Sequence, residues 1–372
     1  MTDGRRPDPV FFPPVSASVH GAVDPSALRA EGVDPAAIID FSSNQSPLGA
    51  APGVAAAVAG AVVDAYPDPR AADLTAALAA RHEVDPAQVV CGNGSTELIR
   101  LIAQLALRPG DAALALAPVF GECEVATALT GVRLERVRLA HAGPGAGFAC
   151  DEAALRAALV RLRPRLCWLC SPNNPTGSAL PAALTAALAA DHPGTLFVLD
   201  EAYCDLLATP QWERASLAGG NLLVLHSMTK YWGLAGLRLG YAVAAPAEAA
   251  ALRAAAPPWS VNACAQAAGL AALADLEHHR RSVALLIAER DRLAGGLRAR
   301  GWVVEPSTAG FFLIHAGDAP AVRRRLLGLG CLVRDCTSFG LPAHVRVSPR
   351  HPERNDRLLE AFAALRPPEA AR

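Results

Sequence analysis

Lys230 is the single lysine among 34 basic residues; the others are arginine. Arginine serves wherever a positive charge or a fork of hydrogen-bond donors suffices, but its guanidinium does not give up its proton. An amine that must become neutral and attack a carbonyl has to come from lysine. Either Lys230 is kept for that chemistry or it is a chance surface residue left by a strong bias toward arginine, and the count alone leaves both readings open. Four further groups with chemical capacity occur in the sequence: residues 92–96 (GNGST), 171–177 (SPNNPTG), 200–203 (DEAY) and 227–230 (SMTK), the last followed by Arg238. They offer hydroxyls, amides, a carboxylate, a phenol and a guanidinium beside one nucleophile.

Each group follows a short apolar run: VVC, LCWLC, TLFVL and LLVLH, with AALALAP a fifth such run. Helical patterns such as LTAALAARH and STELIRLIAQLAL lie between them. Short, wholly apolar runs separated by helices read as parallel strands buried on both faces, and the alternation predicts an α/β layer fold. In such sheets ligands gather at the carboxyl ends of the strands, where these groups fall. Taken singly, each group has a plain alternative. The glycine-rich turn is a phosphate-binding loop at a helix N-terminus or an ordinary tight turn, with Ser95 read as the helix cap. SPNNPTG is a rigid polar loop or a simple turn. Asp200 is a functional carboxylate or a satisfied cap. From about residue 255 a long helical stretch runs to residue 301 and gives way to the shorter alternating segments WVVEP, GFFLIHA, CLVRD and HVRVSP. The expected division is an N-terminal arm (1–45), a large cofactor-binding domain (46–250) and a small α+β C-terminal domain (251–372).

Together the groups supply what pyridoxal 5′-phosphate (PLP) requires. Lys230 gives the Schiff-base nitrogen, and Asp200 keeps the pyridine nitrogen protonated so that the ring acts as an electron sink. Asn174 and Tyr203 can bond the ring hydroxyl. Gly94, Ser95, Thr96, Ser227, Thr229 and Arg238 make a cup suited to a phosphate dianion. The order GNGSTE, SPNNPTG, DEAY, SMTK and GLRLG resembles the fold-type I PLP enzymes of the class I/II aminotransferase family over most of the chain. The resemblance implies the same roles for Lys230, Asp200, Asn174, Tyr203, Ser227 and Arg238. It also implies that Tyr66 in AYPDPR is lent to the cofactor phosphate of a neighbouring subunit, hence a homodimer with shared sites.

The resemblance places Arg334 (LVRDC) and Arg346 (HVRVS) at the substrate, gripping a carboxylate or phosphate, with His20 and Asn44 beside them. The branch with phosphorylated substrates includes histidinol-phosphate aminotransferase and threonine-phosphate decarboxylase. His20-Gly21, DFSSNQSPLG, PPWSVN and VRDCTSF look closer to the decarboxylase, so the expected activity is L-threonine-O-3-phosphate decarboxylase-like, with a histidinol-phosphate or general amino-acid aminotransferase as the alternative. Two departures stand out. Cys123 occupies a place where these relatives carry an aromatic residue stacked on the cofactor, which leaves Phe120 or Trp232 to cover the ring, or the ring face more open. Ala22 stands where the decarboxylase pattern, HGG, has a second glycine.

Composition sets the remaining bounds. Hydrophobic residues make up 52% and charged residues 19% of 372, with a net charge of −1. This describes a well-buried globular chain with no bulk attraction for nucleic acid or anionic membrane. No apolar run is long enough to span a bilayer and the N-terminus lacks the apolar core of a signal peptide, so a soluble cytoplasmic protein is expected. Nine cysteines in a chain this long do not form a disulfide framework. Cys167 and Cys170 form a CxxC on an apolar run, read as core rather than as a metal or redox pair, and no metal site is expected. A non-catalytic descendant that merely binds the cofactor would have lost Lys230 or Asp200 or gained a DNA-binding domain; both residues are present.

Overall fold

A computed structural model of the chain describes residues 18–19, 21–181, 183–207, 212 and 214–368, so His20 lies outside the described residues. The chemistry-bearing half is built on a seven-stranded sheet: β1 (Val89–Asn93), β2 (Ala113–Ala117), β3 (Leu134–Arg138), β4 (Leu166–Cys170), β5 (Leu196–Asp200), β6 (Leu222–Ser227) and β7 (Leu239–Val243). Their order across the sheet is β1-β7-β6-β5-β4-β2-β3. All neighbours run parallel except β7, which is antiparallel to both β1 and β6.

The apolar runs make strands because both faces are covered. Leu114, Cys167, Leu169, Phe197, Leu199 and Val224 enter one packed layer, while Ala115, Leu166, Trp168, Val198, Leu223 and Leu225 enter the other. The two-residue alternation of a strand sends successive side chains to opposite layers, so both kinds of position must be apolar. Cys167 and Cys170, three residues apart, consequently point to opposite faces, and both are buried free thiols.

The register also lines up the strand ends. Leu239 lies opposite Asn93, Gly240 opposite Ser227, Leu225 opposite Asp200, and Asp200 opposite Cys170. The carboxyl ends of β1, β4, β5 and β6 and the start of β7 thus share one edge of the sheet, and the loops carrying the motifs leave from that edge.

A second sheet has strands β8 (Val303–Val304), β9 (Phe312–His315), β10 (Arg334–Asp335) and β11 (His344–Val347) in the order β8-β9-β11-β10. A separate apolar cluster, including Leu293, Trp302, Ile314, Val345 and Phe362, packs against it. The N-terminal segment is sewn to this part: Ile39–Asp40 pairs in parallel with Cys331–Leu332, and buried Arg350 donates to the carbonyl of Ser43 at 2.6 Å.

The long helical stretch of the sequence is broken in the structure. It forms α1 (Ala263–Ala274) and α2 (Leu276–Arg298), separated at Asp275, whose carboxylate accepts from the His278 amide at 3.0 Å and caps the second helix. The first helix packs on helices Pro52–Ala59 and Ala72–His82 of the large part, and the second packs on Pro352–Ala363 of the small part. Residue 250 lies within helix Pro246–Ala255, so we propose that the division between the parts falls at Asp275. No helix among the described residues is long and apolar enough to cross a membrane.

Candidate active site

A cavity of about 900 Å³ opens at the shared edge of the large sheet. Ser95, Thr96, Asn174, Asp200, Tyr203, Thr229, Lys230, Arg238, Asn44 and Arg346 all line it. Residues separated by some 300 positions in the chain are brought together because each sits just past a strand end or on the small sheet facing that edge.

Lys230 sits in the turn after β6. Its carbonyl accepts from the amides of Ser46 at 3.2 Å and Gly233 at 3.0 Å, and its Nζ stands 6.0 Å from the centre of the Tyr203 ring. Asp200, the last residue of β5, is buried, and the Ala202 amide donates to it at 3.0 Å. Burial pushes its carboxyl up to about 6, against the opposing pull of the Ala202 amide and the Lys230 charge. Such a carboxylate has strong reason to seek a cationic partner.

At the other end, Gly94 has φ +73°, and a Cβ there would meet Arg238 Nη2 at 2.9 Å. A Cβ on Gly240 would meet the Ser95 amide nitrogen at 2.4 Å. Both glycines let Arg238 and the start of helix α3 (Ser95–Ala106) approach one another. The expected cap is corrected here: Gly94, not Ser95, is the N-cap, and no side chain caps this end. The first turn therefore keeps amide donors for a ligand. Ser227 does not line the cavity; its hydroxyl pairs with that of Thr229 at 2.7 Å.

On the substrate side, Arg346 Nη1 donates to Asn174 Oδ1 and Nη2 to the Ser42 carbonyl, while its buried Nε has no partner among the described residues. Arg334 lies directly opposite Arg346 across β10 and β11. It does not line the cavity; its Nη2 donates to the Val19 carbonyl at 2.8 Å and to Ser338 Oγ at 2.6 Å, over the Phe339 ring. Asn44 is buried at the cavity with neither amide atom partnered among the described residues. Tyr66 is 79% exposed, stacks on Trp259 at 4.3 Å, and lies outside the cavity of its own chain.

The two departures find physical accounts. Cys123 is buried in helix α4 (Gly121–Leu129), away from the lining, and Phe120 lines the cavity. Trp232 is engaged elsewhere, stacked on His279 at 3.9 Å with Arg81 against its ring. Ala22 adopts φ +145°, a region that favours glycine, so alanine keeps the turn of the HGG pattern. Sequence reading missed the ion pair of Arg100 and Glu122, 2.8 Å apart, both of which line the cavity. The one available signal was an acid in the first turn of a helix beside a cavity-lining Phe.

The donor set fits PLP. A helix start without a side-chain cap, three hydroxyl residues and Arg238 stand at one end. A buried carboxylate drawn toward cations stands at the other, and Lys230 lies in the same cavity. The family described as Aminotransferase class I and II matches residues 36–362. A histidinol-phosphate aminotransferase of Symbiobacterium thermophilum is 39% identical over 88% of this chain and 90% of its own length. The histidinol-phosphate aminotransferase of Sinorhizobium meliloti, solved with PLP, superposes with a TM-score of 0.82 at 28% identity, covering 92% of this chain and 94% of that one. L-threonine-O-3-phosphate decarboxylase of Porphyromonas gingivalis gives 0.75 at 29% identity, covering 87% and 98%. The chain belongs to the class I and II aminotransferases and is a pyridoxal-phosphate-dependent enzyme of that family.

Proposed function

We propose that the protein is a histidinol-phosphate aminotransferase, exchanging an amino group between a phosphorylated amino alcohol and a dicarboxylic keto acid. The observation that carries this reading is the 39% identity to the Symbiobacterium thermophilum enzyme over 88% of the chain. A second relative of the same description, from Ralstonia nicotianae, is 35% identical over 98% of the chain. The expectation of a threonine-phosphate decarboxylase gives way to these relatives.

PLP, when bound, supplies a conjugated ring that takes up the electron pair left as the substrate Cα loses its proton. Lys230 would hold the cofactor covalently and would move the proton from the substrate Cα as general base. Asp200 keeps the ring nitrogen protonated. Asn174 Nδ2 and Tyr203 orient the ring hydroxyl, the Oδ1 of Asn174 being held by Arg346. Ser95, Thr96, Thr229 and Arg238 bind the cofactor phosphate, with Ser227 positioning Thr229. Phe120, which lines the cavity, would cover the ring. Arg346 would grip the substrate anion with Asn44 beside it, Arg334, held on Val19 and Ser338, would back it from the neighbouring strand, and the substrate role expected of His20 falls outside the described residues.

The direct test incubates holoenzyme with histidinol phosphate plus 2-oxoglutarate, and separately with threonine phosphate, assaying glutamate and CO2. Glutamate from the first mixture is expected; CO2 from the second without glutamate from the first overturns the proposal. Arg346→Ala is expected to cost about 2–5 kcal/mol in kcat/KM, because the remaining groups leave one anionic group ungripped. Arg334→Ala should weigh unequally on the phosphate and glutamate half-reactions. If neither change affects a phosphorylated substrate, a general amino-acid aminotransferase is the better reading.

Tyr66, exposed and outside its own cavity, acts in this reading at the site of a second subunit. Mixing inactive Tyr66→Phe and Lys230→Ala proteins should restore activity at one site of each heterodimer. Heterodimers that form but regain nothing would place Tyr66 outside the shared site.

A further inference from the structure

Away from the cavity, Glu305 lies fully buried just past β8 and collects partners from distant parts of the chain. Its Oε1 faces His141 Nε2 at 3.2 Å, His344 Nε2 at 3.4 Å and the Gly145 amide at 3.0 Å, while Oε2 accepts from the Gly147 amide at 2.9 Å. His141 belongs to a hairpin of strands Ala140–His141 and Phe148–Ala149, and His344 begins β11. His315, at the end of β9, has its ring centre 5.3 Å from that of His344. The Nδ1 atoms of His344 and His315 are buried without a partner among the described residues.

As hydrogen bonds these contacts are poorly made. One carboxylate oxygen faces three N–H-bearing groups, and its two imidazole contacts exceed the roughly 2.7–2.9 Å of a charge-assisted bond. As the edges of a coordination polyhedron they fit well. Tetrahedral bonds of about 2.0–2.1 Å hold ligand atoms about 3.3–3.4 Å apart, and the two measured edges are 3.2 and 3.4 Å. All three ligand atoms lie within 4.8 Å of one another. His141, whose side chain is 21% exposed, can swing to close the third edge and leaves an entry path for an ion. The Gly145 and Gly147 amides orient the carboxylate, as outer partners of a metal ligand do.

We propose that His141 Nε2, Glu305 Oε1 and His344 Nε2 bind a divalent transition cation of the zinc type, with water in the fourth position. Two imidazoles and a carboxylate suit that class of ion, and one carboxylate leaves the site with a net positive charge that the surrounding imidazoles do not neutralise. The ion fastens the hairpin that follows β3 to the small sheet, so its role is structural and independent of the amino-transfer reaction.

The test uses holoenzyme stripped with a chelator and titrated with Co²⁺, read as a difference spectrum against the metal-free protein. One equivalent should bind and give the intense visible bands of four-coordinate cobalt without a thiolate charge-transfer band. His141→Ala and His344→Ala should each weaken binding at least about 10- to 100-fold, the range seen when even an outer partner of a metal ligand is lost. Both should keep the cofactor's absorbance. Zn²⁺ should raise the Tm of the wild type and not that of His141→Ala. Cys204→Ala should change nothing, since the other group with metal-ligand character among the described residues, Glu201, Cys204 and His226, would bind through sulfur. Absence of stoichiometric cobalt uptake overturns the proposal, as does uptake that survives His141→Ala or is lost in Cys204→Ala. If His344→Ala does not fold, the variant at part-exposed His141 still decides between the outcomes.

Discussion

Lys230→Ala is expected to lose covalent attachment of the cofactor and to reduce turnover by on the order of 10⁴-fold or more, the scale on which a nucleophile that doubles as general base is missed. No second lysine exists to take its place. Lys230→Arg should behave the same way, because it keeps the charge and removes only the capacity to lose a proton. The pair of variants therefore separates electrostatic from nucleophilic roles. Borohydride reduction of the wild-type holoenzyme followed by peptide mapping should place the label on residue 230; a label anywhere else would refute the assignment.

Asp200→Asn should still bind the cofactor yet turn over about 100- to 1,000-fold more slowly, because an amide does not hold the ring nitrogen protonated. The same residue gives a pH signature in the cofactor-free enzyme. Its carboxyl rises from 3.8 to about 6 on folding, so the folded chain holds that proton more tightly than the unfolded one. As pH rises from about 4 to about 6, the unfolded state gives up the proton first, and the apo-enzyme loses up to roughly 3 kcal/mol through this group. Below that window the loss is absent. Urea unfolding of apo wild type against apo Asp200→Asn should show that slope in the former only, and bound cofactor should offset it by placing a cation beside the carboxylate. Equal slopes in the two proteins would mean that Asp200 is not the buried acid responsible.

The cofactor end of the site was legible because its residues are written next to the strands that place them. Asp200 ends β5, Ser227 ends β6, and Arg238 precedes β7, so reading apolar runs was equivalent to reading positions along one sheet edge. The antiparallel entry of β7 between β1 and β6 was not legible, since both faces of an inner strand look alike in either direction. The break at Asp275 was hidden because helical periodicity continues through it, and only the cap geometry marks the join. Glu122 and Arg100 meet from separate helices, which no local pattern reports.

The expectation of a decarboxylase, which the most similar relatives do not favour, has a physical origin. A Cβ on Gly21 would meet the Ser42 carbonyl at 2.5 Å and Arg346 Nη2 at 3.0 Å. The short HG and DFSSN motifs therefore record how closely the N-terminal segment packs on Arg346. That packing serves any enzyme that anchors an anion there, and it does not say which reaction follows.

The scarcity of lysine has an outcome for the handling and upkeep of the protein. With its one side-chain amine lining the cavity and, in the proposed role, tied up by the cofactor, the folded enzyme offers amine-directed chemistry little besides its N-terminus. Acylating reagents, glycation and enzymes that tag lysine all lack a foothold on the surface. Any such mark found at residue 230 would report a molecule whose amine was not joined to the cofactor at that moment, so the modification state of this one side chain doubles as a record of covalent attachment.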